Sequence, residues 1–157
     1  MRILIVDDEE VLRDVLETVL RREGFDVVLA ASGEEALSVL DRADEIDLVI
    51  LDIMLPGISG IDTLRSIRVS TPSLPVIIIT AFSSIDGAIE AMKHGAFHYI
   101  PKPFKNEEVV LTVNKALEQR RLSNENERLK EELNEKYAYS NIIGKSEIMR
   151  RVFDLIR

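Results

Sequence analysis

Cysteine is absent from the 157 residues, so neither a disulfide nor a thiolate metal site can form. That absence fits a reducing, cytoplasmic setting. Basic charge is in short supply. Lys and Arg number 20 against 28 Asp and Glu, a formal net charge of −8 at pH 7, which argues against direct nucleic-acid binding. No basic stretch followed by an apolar core opens the chain, so no secretory leader is expected. The apolar runs are short and interrupted by Asp or Pro, so no membrane contact is expected. No Gly-rich turn follows the first apolar run, which removes dinucleotide binding from consideration. Gly144-Lys145-Ser146 lacks the earlier glycine of a phosphate-binding loop, because position 139 is Tyr139.

What is present is a 46% apolar chain long enough for one domain plus an extension. Residues 2–6, 25–30, 47–51, 76–79 and 97–100 read as buried strands. Helical spacing separates them. Val11, Val15, Val19 and Leu20 mark one helix, with Gly24 as its stop. Ser32 and Glu35 form a capping-box pair ahead of Ala36, Leu37 and Leu40. Ile61, Leu64 and Ile67 line a third helix, after a loop marked by Pro56, Gly57 and Gly60. Ser83 or Ser84 can cap a fourth carrying Ile85, Ala88, Ile89 and Met92, which Gly95 ends. Val109, Val110, Val113 and Leu117 are the inner stripe of a fifth, which can run on well past the domain. The alternation predicts an α/β fold, a doubly wound, five-stranded parallel sheet. In the flavodoxin-like order 2-1-3-4-5, the switch in strand order lies between the first and third strands, which carry the acids, so the fold and the carboxylate positions support each other.

In such a sheet, ligands bind beyond the carboxyl ends of the strands, near the switch in strand order. There the first strand is followed by Asp7 and Asp8, the third by Asp52, the fourth by Thr80 and the fifth by Lys102. Any one acid could simply close a strand on a solvated rim. Crowded carboxylates repel unless a cation joins them, and an all-oxygen set favours a hard ion such as Mg²⁺. An ionised aspartate beside that ion can attack phosphorus, while an ammonium and a hydroxyl hold phosphoryl oxygens. Glu9 and Glu10 suit the positive end of the following helix.

Ile5-Val6-Asp7-Asp8-Glu9-Glu10, Leu51 to Gly57, Ile79-Thr80-Ala81 and Pro101-Lys102-Pro103-Phe104 resemble the receiver domain of two-component response regulators over residues 1–120. The resemblance implies a CheY-like fold with Asp52 as phosphoacceptor. It implies Mg²⁺ held by Asp7, Asp8, Asp52 and the backbone carbonyl of Met54. It makes Lys102 a phosphoryl contact, with a cis bond to Pro103, and Thr80 and Tyr99 the switch pair. Its partner would be a sensor histidine kinase. Met54 and Phe82 flank the family's path for hydrolytic water, and both are apolar here. Slow self-dephosphorylation is therefore expected, and a half-life of seconds for the purified phosphoprotein would contradict it.

Gln119, Leu122, Asn126, Leu129 and Leu133 fit an a/d heptad series that runs into a helical linker over 121–140, which predicts a parallel coiled-coil homodimer. A solvated single helix is the competing reading. Tyr137 to Asn141 reads as a break in that helix. Ile142-Ile143-Gly144-Lys145-Ser146 and Met149-Arg150 resemble the entry to the AAA+ ATPase of NtrC-class activators of sigma-54 RNA polymerase. Residues 141–157 would then be the start of that domain, without its nucleotide-binding loop. His94 and His98 have zinc-ligand spacing, but Gly95 between them favours two surface histidines. Two other classes remain: a haloacid-dehalogenase-like phosphatase, which needs an acid where Met54 stands, and a dimerisation module without chemistry. Turnover as an enzyme is not expected.

Overall fold

The computed structural model describes residues 1–42, 45–81 and 84–155, with side chains described outside 139–149 and 153. The elements are β1 (Arg2–Val6), α1 (Glu10–Arg22), β2 (Asp26–Ala30), α2 (Gly33–Arg42) and β3 (Leu48–Leu51). They continue with α3 (Gly60–Ser70), β4 (Val76–Thr80), α4 (Ile85–Lys93), β5 (His98–Pro101) and α5 (Asn106–Leu155). The chain divides into two compact units, Met1–Arg120 and Arg121–Arg157. No helix of the described residues is long and apolar enough to cross a membrane.

All five strands pair in parallel, in the order β2-β1-β3-β4-β5, which is the expected topology. Each strand has helices to bury it on both faces, so nearly every strand residue is apolar. Two clusters fill the two sides. Leu4, Val49, Leu51, Leu64, Ile67 and Ile78 lie in one, and Ile3, Ile5, Leu16, Leu20, Ile77 and Val113 in the other.

Helices α1 and α4 turn differently from the expected faces, while α2 keeps its expected face. On α1, Leu16 and Leu20 are buried, while Val11 and Val15 are 75% and 40% exposed. Leu12, Leu16 and Leu20 recur every four residues and cover the sheet. The valines, one position behind, are rotated by about 100° toward solvent. On α2 only Gly33 and Ala36 are fully buried, with Leu37 and Leu40 packed at the margin. On α4 the expected stripe faces outward. Ile85 is 79% exposed, Ile89 47% and Met92 48%, because the small Gly87 and Ala91 are the residues seated on the domain.

Local caps follow the sequence. Ser59 accepts from the Asp62 N–H at 3.1 Å and Ser84 from the Gly87 N–H at 2.9 Å. Ser83, the other candidate cap, lies outside the described residues. Ser32 accepts from the Glu35 N–H at 3.1 Å, and the Glu35 carboxylate reaches back to the Ala31 N–H at 2.7 Å. The expected break at 137–141 does not occur. Backbone hydrogen bonding carries α5 through it, Gly144 included, since one glycine costs a helix only about 1 kcal/mol. Within the second unit Leu122, Leu129 and Leu133 are 53%, 46% and 53% exposed, and Asn126 is exposed as well.

The loop between β3 and α3 is held by a close backbone approach. A Cβ on Gly60 would overlap the Asp52 carbonyl oxygen and stand 2.5 Å from the Ile53 Cα. Backbone atoms cannot step aside as a side chain can. Gly60→Ala is expected to destabilise the fold by about 3 kcal/mol, read by urea unfolding.

Candidate functional site

Register places the acids together. Val6 pairs with Leu51 across β1 and β3, and the Asp52 N–H donates to the Val6 carbonyl at 2.9 Å. Residues 7 and 52 therefore leave the sheet side by side at the switch in strand order. Carboxylate oxygens of Asp7, Asp8 and Asp52 all lie within 4.8 Å of one another. Asp7 and Asp52 are buried and Asp8 is exposed, so the cluster opens to solvent on one side.

Lys102 reaches this cluster from the end of β5. Its Nζ donates to Asp7 Oδ2 and Asp52 Oδ2, both at 2.9 Å, and stands 3.8 Å from Glu9. The Lys102 N–H donates to the Thr80 carbonyl at 2.9 Å, which fixes where the side chain starts. The bond from Lys102 to Pro103 is cis, as expected. The other carboxylate oxygen of Asp7 and of Asp52 is occupied as well. Asp7 Oδ1 accepts from the Glu9 N–H at 2.8 Å, and Asp52 Oδ1 from the Met54 N–H at 3.0 Å. Arg13 donates to the Asp7 carbonyl at 2.6 Å.

The electrostatics follow from crowding. Burial pushes the Asp7 carboxyl above its ordinary value, and the Asp52 charge adds to this, against the pull of Lys102 and the Glu9 N–H. Burial alone would lower Lys102. Hydrogen bonds to Asp7 and Asp52, with their charges, outweigh it and hold the ammonium above its ordinary value. Burial, then the Asp52 charge, raises the Tyr99 hydroxyl. Three carboxylates and one ammonium leave two negative charges in excess, which a divalent cation would neutralise. The donor set, all oxygen, suits a hard ion.

Thr80 is fully buried at the end of β4, and Tyr99, opposite Ile78 in the sheet, is half-buried against the core. The Met54 side chain is 59% exposed, and Phe82 lies outside the described residues. The two histidines sit on different elements. His94 caps the end of α4, 3.0 Å from Arg65 and 3.9 Å from Glu90, while His98 is exposed on the edge strand β5, opposite Ile77. The side chains of Gly144-Lys145-Ser146 lie outside those described.

The response regulator receiver domain profile matches residues 3–114. The chain belongs to that family. An NtrX-like response regulator of Rickettsia bellii is 38% identical over 148 residues, 93% of this chain and 30% of that protein. The transcriptional regulatory protein ZraR of Klebsiella oxytoca is 43% identical over 121 residues, 77% of this chain and 27% of its own length. The crystal structure of NtrX from Brucella abortus in complex with ADP superposes with a TM-score of 0.74 at 37% identity. It covers 82% of this chain and 28% of that one. The chain thus spans less than a third of each of these relatives, and the shared part includes the receiver.

Sequence reasoning assembled the receiver's acids but missed two supports. Arg13 reads as a helix-surface cation, and nothing in the sequence ties it to the Asp7 carbonyl. Glu34 reads as a charge favouring the start of α2, yet its carboxylate accepts from the Ile58 N–H at 2.9 Å, across 24 residues of chain.

Proposed function

We propose that this receiver is a phosphorylation-controlled switch in which Asp52 accepts a phosphoryl group from a sensor histidine kinase. The grouping of Asp7, Asp8 and Asp52, with Lys102 bridging two of them, is the observation that carries this reading. A carboxylate oxygen of Asp52 attacks phosphorus, the N–P bond of the donor phosphohistidine breaks, and the imidazole leaves with the electron pair and is then protonated. An acyl phosphate results. Asp7, Asp8, Asp52 and the Met54 carbonyl would hold Mg²⁺, which when bound screens the charge of the incoming group. Lys102 would release its bridge to pair with a phosphoryl oxygen, and the Thr80 hydroxyl would take another. A groove of about 520 Å³ beside Lys102, lined by Leu12, Val15, Pro103 and Phe104, gives a donor room to approach.

Phosphorylation adds charge and acceptor oxygens that only one state of Thr80 and Tyr99 engages well, which biases a two-state equilibrium. Moving it from 1:99 to 99:1 takes roughly 5.5 kcal/mol. The apolar side chains of Ile85, Ile89 and Met92 on α4 are the surface such a change would re-engage. In the longer protein the signal would pass along α5 to an AAA+ ATPase acting on sigma-54 RNA polymerase. The Brucella abortus relative binding ADP supports a nucleotide-binding partner domain. A phosphatase of the haloacid-dehalogenase type is disfavoured by Met54, which cannot act as acid or base.

Intact mass after acetyl phosphate and Mg²⁺ tests the reading, with a gain of one phosphoryl group expected. No gain, or steady hydrolysis of small phosphoesters, would overturn it.

The linker is proposed to pair two chains through Leu122, Asn126, Leu129 and Leu133. Leu129→Asp is expected to weaken the dimer by roughly a hundredfold or more, since two buried leucines are lost together. Sedimentation equilibrium of the whole chain reads this directly, and an unchanged dimer would remove the linker from the interface.

A further inference from the structure

The start of α2 is keyed into the loop that joins β3 to α3. A Cβ on Gly33 would overlap the Thr63 hydroxyl and stand 2.7 Å from the Ile58 side chain. The next residue, Glu34, places its carboxylate against Gly57, where a Cβ would otherwise sit. Gly57 has φ +79, a left-handed conformation that a side chain would strain. Glu34 Oε1 then accepts the Ile58 N–H at 2.9 Å, and that hydrogen bond is the leading cause holding its carboxyl below the ordinary glutamate value. At the far side of the same loop, Gly60 lies on the Asp52 backbone and its N–H donates to the Ile53 carbonyl at 2.9 Å. Residues 53–60 are thus held at two points: Gly60 closes the loop onto Asp52 and Ile53 at the end of β3, and Glu34 holds it at Gly57 and Ile58 from a separate helix.

Between these grips stands Met54, whose N–H donates to Asp52 Oδ1 at 3.0 Å. The loop therefore orients the Asp52 carboxylate, and in the reading proposed above its Met54 carbonyl is a metal ligand. We infer that Glu34 is a positioning residue for the divalent-cation site, acting through the Ile58 N–H to set the loop that carries Met54. It touches neither the ion nor the phosphoryl group. Its effect is to reduce the loop freedom that cation binding would otherwise have to freeze, and so to raise affinity.

The inference rests on the cation reading, and one experiment separates the two. Mg²⁺ binding to the whole chain is measured by calorimetry for wild type, Glu34→Gln and Glu34→Ala, with thermal unfolding in chelator alongside. Glu34→Ala is expected to bind about tenfold more weakly. Glu34→Gln keeps an acceptor oxygen for Ile58 and is expected to stay within about twofold of wild type. The chelator melting temperature of Glu34→Ala should change little, since only an exposed hydrogen bond is lost. Equal affinity for wild type and Glu34→Ala would overturn the inference and leave the cation reading intact. Equal weakening in both variants, abolished by high salt, would also overturn it, by showing a remote charge at work rather than the loop. A wild-type chain that binds no Mg²⁺ would overturn both.

Discussion

Asp52→Asn is expected to all but abolish phosphoryl incorporation. With acetyl phosphate and Mg²⁺, the variant is expected to label at least about a thousandfold more slowly than wild type, because an amide oxygen is no nucleophile at neutral pH. Asparagine keeps the shape of the side chain and can still accept from the Met54 N–H, so the fold should survive. With that oxygen on Met54 the amide NH2 faces Lys102, which loses one of its two hydrogen bonds and keeps the Asp7 bond. Loss of labelling with an unchanged unfolding curve would place the nucleophile at Asp52. Retained labelling would move it to another carboxylate, Asp7 or Asp8 being next in reach.

Lys102→Ala is expected to cost about 3 kcal/mol of metal-free stability at pH 7. The lysine is the cation that bridges the two buried aspartates, and without it they face each other uncompensated. The pH dependence follows from the direction of each shift. Lys102 has a folded pKa raised above its unfolded value of 10.5, so its contribution is complete at neutral pH and disappears only as pH rises through the raised value. Asp7 is also raised, from 3.8, because burial disfavours its charge. The folded state then binds this proton more tightly, and stability falls as pH climbs from the ordinary value through the raised one. Removing Lys102 takes away a group that lowers the Asp7 value, so this penalty widens. The variant should approach wild type as pH falls and Asp7 takes up its proton. Added Mg²⁺ should restore part of the loss at pH 7. Urea unfolding at pH 7 and pH 5, in chelator and in Mg²⁺, would show it. A pH-independent deficit that Mg²⁺ leaves untouched would instead mean lost packing of the lysine stem.

Strand identity was readable because a fully buried parallel strand must be apolar throughout, as Ile3 to Val6 and Val76 to Ile79 are, while the order rested on the likeness to flavodoxin-like sheets. Acids at strand ends were readable for the complementary reason: Asp7 and Asp52 interrupt that apolar code where the sheet meets solvent. Helix faces were less legible. On α1 and α4, valine, isoleucine and methionine offered more than one plausible stripe, and hydrophobicity alone could not rank them. The close fit of Gly87 and Ala91 settled α4 in favour of its small residues. The run of α5 past Tyr137 was missed because a local change of composition looked like a boundary, although nothing there forbids helical hydrogen bonding.

The one-dimensional pattern was enough to fix the strands and the five side chains that end them, because periodicity and polarity are local properties of the chain. The pairing of Lys102 with both Asp7 and Asp52, the hold of Arg13 on the Asp7 carbonyl and the grip of Glu34 on Ile58 came from packing alone. Those partners lie on separate elements, and which rotamer of a long charged side chain is kept depends on neighbours that no local spacing encodes.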